Sequence, residues 1–193
     1  MTLKNPMASP GNAMVSPILA KLKSHEDRKT VAILGAFCLF LSTIEYMIPK
    51  PLPFMRLGIA NLPIMLALDI FPLNTFLTLV AVKIVGQALI TGTLFSYVFL
   101  FSLAGTSLSA LSMYGLRRFT GRNQVSFIGV GTMGAMISNI SQLCLAWVFI
   151  FRNSVWYVTP IFLSAGVVTG VALGIFCELF TRRSKWYESR RVR

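Results

Sequence analysis

From Thr30 onward apolar residues dominate the chain in long runs, separated by short polar interruptions. The runs predict helices at Thr30–Ile48, Leu57–Phe71, Leu73–Ile90, Leu94–Leu116, Val125–Phe151 and Val155–Phe180. All but the second are long enough for a hydrocarbon core about 30 Å thick. The second is an imperfect span: Pro49, Pro51 and Pro53 precede it, and Arg56, Asn61, Pro63 and Asp69 fall at its start or within it. Its residues, taken as helix to Pro72, rise only roughly 24 Å, and Pro63 interrupts the ladder at the carbonyl of Ile59. Irregular backbone at membrane depth is tolerated only against protein or a water-filled cavity, so this segment is expected to form one wall of a ligand site, or else to pack inside the bundle as a short Pro-distorted helix.

Short connections favour a single bundle without a soluble insertion. The expected fold is therefore an all-α integral membrane protein, a compact six-helix transmembrane bundle with a short, Pro-interrupted second helix. Residues 1–29 read as a basic, partly disordered cytoplasmic segment, 30–181 as the membrane domain and 182–193 as a basic cytoplasmic tail. No short apolar run with a small-residue cleavage site precedes the first helix, so a cleaved signal peptide is not expected.

Composition supports this class: 55% of the 193 residues are hydrophobic and the mean hydropathy is +0.70. The net charge of +12 would suggest nucleic acid in a soluble protein. Threaded through six spans, however, every lysine and arginine falls on one side except Lys50, Arg56, Arg152 and the intramembrane Lys83. The positive-inside rule then places both termini in the cytoplasm and the protein in the cell membrane, and it leaves no charge for a nucleic-acid partner. Cys38, Cys144 and Cys177 lie in apolar segments without metal-type spacing and read as structural thiols, and His25 is the single histidine. Neither a metal nor a cofactor site is expected.

Gly129-Val-Gly-Thr-Met-Gly134 matches the letters of a dinucleotide-binding fingerprint but lacks the preceding strand and the later acidic residue, so its glycines read as helix-packing positions. Ala32 and Ala36, the series Ser102, Gly105, Ser109 and Ser112, and the series Gly166, Gly170 and Gly174 also repeat small residues at helical spacing. Intramolecular packing is the ordinary reason for such repeats. Ala32 and Ala36, near the cytoplasmic end of the first helix, could also dock a partner's helix.

Intramembrane polar residues carry the candidate chemistry, because each is costly unless paired or wetted. Lys83 and Gln87 share a face of the third helix, and Asn139 and Gln142 share a face of the fifth. With Glu45, Arg56 and Asn61 they all thread to the outer half, which defines a candidate ligand site of Glu45, Arg56, Asn61, Lys83, Gln87, Asn139 and Gln142. Phe54, Phe95 and Tyr97 lie near its mouth. Cations, amides and aromatic rings in that combination suit a small aromatic or amphipathic anion. Lys83 could instead be held in a structural ion pair with Glu45. Asp69 and Glu178 fall at the inner ends, Glu178 one turn before Arg182 as a surface pair.

Met55-Arg-Leu-Gly-Ile-Ala-Asn-Leu-Pro63, Lys83-Ile-Val-Gly-Gln-Ala-Leu-Ile-Thr-Gly-Thr-Leu-Phe-Ser96, Phe101-Ser-Leu-Ala-Gly105 and Gly134-Ala-Met-Ile-Ser-Asn-Ile-Ser-Gln142 together resemble the Gx transporter family over about residues 30–180. That family also carries the name heptaprenyl diphosphate synthase component I. It in turn resembles the S components of energy-coupling factor (ECF) transporters, six-helix proteins that capture a vitamin from outside and dock through small residues of helix 1 onto a transmembrane coupling protein with two ATPases. The resemblance implies a solute-binding transport protein, and the pattern of cations, amides and aromatic rings suits a ligand such as a flavin, a quinone precursor or an isoprenoid phosphate. The resemblance places Ala32 and Ala36 where the docking motif falls. The family's second name implies a membrane anchor or accessory subunit of a polyprenyl diphosphate synthase. A catalytic role is not expected, because such synthases hold magnesium with aspartate clusters and this chain has only Asp27 and Asp69.

Overall fold

The computed structural model describes residues 10–49, 58–120, 124–151 and 155–190, and every regular element among them is a helix. Helix α1 spans Pro10–Met47, α2 Leu62–Ala67, α3 Leu73–Ile90, α4 Tyr97–Phe119, α5 Phe127–Ala146, α6 Val155–Arg183 and α7 Lys185–Arg190. A single 3-10 turn, Ile59–Asn61, leads into α2, and a π-helical turn, Trp147–Phe151, extends α5. Among the described residues five helices are long and apolar enough to cross a membrane: the part of α1 from His25, then α3, α4, α5 with its extension, and α6. Many of their large apolar side chains, such as Ile33, Phe40, Val168 and Leu179, face outward, as a bilayer demands and water would not allow.

Three departures from the sequence pattern have local physical causes. Helix α1 starts at Pro10, well before Thr30, because the apolar signal marks the buried span while helix continues through polar residues. The second helix is shorter than its apolar run. Pro63 sits in the first turn of α2, where its missing N–H has no intrahelical partner to lose, so it starts this helix where an interruption was expected. The third departure is α7, which the basic tail did not announce. Its Tyr187 is 2% exposed, packed back under the bundle.

Two seams hold the long helices. A Cβ on Gly131 would lie 2.7 Å from the carbonyl oxygen of Gly170, and one on Gly170 would lie 2.9 Å from that of Gly131, so α5 and α6 touch backbone to backbone. On the other side, a Cβ on Gly86 of α3 would meet Leu39 of α1 at 2.7 Å, and one on Gly35 of α1 would meet Val82 of α3 at 3.3 Å. Helices α1 and α3 therefore run side by side in the same direction, and α2 packs against both.

Candidate functional site

The Leu-Gly-Ile-Ala-Asn motif makes the entry to α2. Gly58 takes φ +81°, a left-handed conformation that side chains disfavour, and it turns the chain into the 3-10 helix. The N–H groups of Gly58 and Ala60, which a helix start leaves without backbone acceptors, donate to Glu45 Oε1 and Oε2, both at 3.2 Å. Glu45 thus spans the gap from α1 to the start of α2. One turn further in, the Lys83 ammonium donates to Asn61 Oδ1 and to Thr106 Oγ1, each at 3.1 Å. Lys83 is 3% exposed, so three helices converge on one buried cation.

Amides occupy the neighbouring level. Gln142 Nε2 donates to Ser138 Oγ at 3.1 Å, and Asn139 Nδ2 donates to the Phe162 carbonyl at 2.6 Å. The Ser-Leu-Ala-Gly motif allows α4 to reach them: a Cβ on Gly105 would lie 2.9 Å from Gln142 Nε2 and 3.0 Å from Ser138 Oγ. Five buried polar atoms have no hydrogen-bond partner among the described residues, namely Ser42 Oγ, Gln87 Oε1, Ser102 Oγ, Ser109 Oγ and Gln142 Oε1. Such atoms are costly in a closed core. The cavity beside Asn61, Ser109, Ser138 and Asn139 has about 20 Å³, room for one water. The arrangement is closed around it.

Of the residues singled out in the sequence, Asn61 and Lys83 are in direct contact, and Glu45 holds the segment that carries Asn61. Gln87 lies one turn beyond Lys83, and Asn139 and Gln142 form the facing side. Arg56 and Phe54 lie outside the described residues. Phe95 is fully exposed and Tyr97 turns edge-on to Phe101 with ring centroids 6.3 Å apart, so neither closes over Lys83. Ala32 and Ala36 are exposed on the outer face of α1 and do not pack within the bundle. In the sequence Ser102 and Ser109 read as packing positions, and Thr106 does not stand out among them. Their shared spacing of four and three marks one polar stripe on α4, and that stripe is the missed signal.

A second polar cluster lies at the opposite end. Arg117 Nε and Nη2 grip Asp69 Oδ1 and Oδ2 at 3.0 and 2.9 Å, and Tyr187 Oη donates to Oδ2 at 3.2 Å. The Arg117 Nη1 donates to the Val125 carbonyl, and the guanidinium stacks 4.4 Å from the Phe127 ring centroid. Arg190 of α7 reaches Thr30 of α1. The expected pair of Glu178 and Arg182 is present at 2.9 Å, and the other Glu178 oxygen accepts the Phe127 N–H. Asp69, Arg117, Ser126, Glu178, Arg182 and Glu188 border a cavity of about 500 Å³ that opens at this end. Segment α2 is therefore fastened at both ends, by Glu45 and Lys83 above and by Arg117 and Tyr187 below.

These features define a polytopic α-helical membrane protein with a layer of buried, incompletely partnered polar groups between its helices. The family is that of heptaprenyl diphosphate synthase component I, to which the chain belongs: the family's model matches residues 34–180. No curated protein and no solved structure matches the chain.

Proposed function

We propose that this protein binds a small solute within the membrane as an ECF-type S component and passes it inward with a separate ATP-driven coupling module. In this reading α2 counts as the sixth traverse, both termini are cytoplasmic, the chain sits in the cell membrane and it carries no catalytic activity of its own. The observation that supports it is the set of five buried polar atoms that have no partner among the described residues, which a protein built only to be an anchor has no reason to keep. The ligand would meet Asn61, Lys83, Gln87, Asn139 and Gln142, with Glu45 holding the entry to α2 and Arg56 at the mouth. The exposed Ala32 and Ala36 would receive the coupling protein. Mass spectrometry of small molecules released from the purified protein on denaturation tests the reading, and a preparation free of any such molecule counts against it.

The second reading, a non-catalytic anchor of a polyprenyl diphosphate synthase, draws on the family's name and on the open cavity of about 500 Å³ at the basic end. Stoichiometric co-purification with such a synthase, without a bound small molecule, would favour it.

A further inference from the structure

By helical register, four of the five atoms without a partner among the described residues fall within a narrow band of the bundle. Lys83 bonds to Thr106 across α3 and α4, so one turn beyond Lys83 stands Gln87 and, on the returning helix, one turn before Thr106 stands Ser102. The contact of Gly86 with Leu39 places Ser42 of α1 within a turn of the same height, and the contact of Gly105 with Gln142 brings in α5. Ser42, Gln87, Ser102 and Gln142 are each at most 6% exposed. They come from four different helices, and their open atoms are two amide oxygens and two hydroxyls.

This set has a definite chemistry. An amide carbonyl oxygen accepts hydrogen bonds, and a hydroxyl can donate or accept, so the layer as a whole offers acceptors with adaptable donors beside them. The nearby Lys83 already donates to Asn61 and Thr106, and an anion would have to compete with both for it. We infer that the ligand presents a neutral amide-type edge, an N–H flanked by carbonyl groups as in a lactam, ureide or imide, to the layer formed by Ser42, Gln87, Ser102 and Gln142. The N–H is read by the glutamine oxygens and the flanking carbonyls by the serine hydroxyls. Should an amide be rotated, its NH₂ takes over a carbonyl of the same edge, so the class of partner is unchanged. The inference rests on the solute-binding reading above and moves the recognition from charge to hydrogen bonding.

The test uses the full-length protein in detergent micelles and three fluorescent probes of one shape: naphthalimide, its N-methyl derivative and naphthoate. Naphthalimide should bind, and N-methylation should weaken it about tenfold or more, the effect of losing one hydrogen bond and leaving its buried partner open. Gln87→Met and Gln142→Met should each weaken naphthalimide by a similar factor and bring it toward the N-methyl probe. Because N-methylation changes the probe alone, that arm is independent of how the variants fold. Equal affinity for the two imides, or preferential binding of naphthoate abolished by Lys83→Met, overturns the amide-edge inference while leaving solute binding in place. Failure of all three probes also overturns it, and if denaturation then releases no small molecule, the solute-binding reading falls with it.

Discussion

The ammonium of Lys83 lies 3.1 Å from the carboxamide oxygen of Asn61, 22 positions earlier, and this contact pins the start of the short α2 segment against α3. Asn61→Leu should remove a hydrogen bond to a buried cation and lower stability by about 1.5–3 kcal/mol. Asn61→Asp keeps an acceptor in place and should retain most of that stability. Thermal unfolding of both variants in the same detergent decides the matter, and equal destabilisation would show that Asn61 acts through its shape alone.

At the far end of α2, Arg117 makes a two-pronged contact with Asp69. Asp69→Asn should cost about 3–5 kcal/mol, because it leaves the buried guanidinium without its counter-charge. Arg117→Lys should recover little of a loss caused by Arg117→Met, since an ammonium cannot make the forked contact. Tyr187→Phe removes one hydrogen bond to the same carboxylate and should cost about 1 kcal/mol. A cycle of Asp69→Asn with Tyr187→Phe should be clearly non-additive; strict additivity in denaturation would mean that α7 is held by other contacts.

The α5–α6 seam gives a sharper contrast. Gly131→Ala places a methyl against the backbone of Gly170, which cannot give way, and should cost about 1–3 kcal/mol. Gly129→Ala, whose Cβ would meet only the Val125 side chain at 3.3 Å, should be close to neutral. Neither substitution should alter an NAD or FAD titration, and a glycine-dependent affinity would restore the nucleotide reading of this stretch.

Ala32 and Ala36 stand on the outer face of α1. Ala32→Phe and Ala36→Phe should therefore leave the melting temperature and the ligand affinity of the isolated protein unchanged, while uptake in cells expressing a coupling module is lost. Parallel loss of binding and uptake would argue that this face is packed within the protein.

Much of this architecture is legible in the apolar runs, because bilayer thickness dictates helix length and buried polar groups stand out against a hydrophobic background. Helices α3, α4, α5 and α6 fall within a few residues of where those runs predict them, and α1 ends where its run does but starts far earlier, at Pro10. Asn61, Lys83, Gln87, Asn139 and Gln142 could be picked out for the same reason. The short α2 could not be bounded, since apolar residues continue on both sides of Asp69 through its flanking turn and Pro63 permits either a break or a start. Asp69 and Arg117 could not be paired, because they are 48 positions apart and Arg117 is indistinguishable in sequence from the arginines that set topology. Tyr187 was hidden for a similar reason: a basic tail gives no sign that one aromatic residue turns back beneath the bundle.

The double fastening of α2 has a thermodynamic consequence. Its two helical turns and the preceding 3-10 turn span only about 15 Å, too little length to absorb strain by bending. In the solute-binding reading, a solute that draws Asn61 or the Glu45-bound N–H groups out of place shifts Asp69 as well. The work of that shift is then shared with Arg117 and Tyr187, and by reciprocity whatever stabilises those two at their end changes the solute's affinity by the same factor.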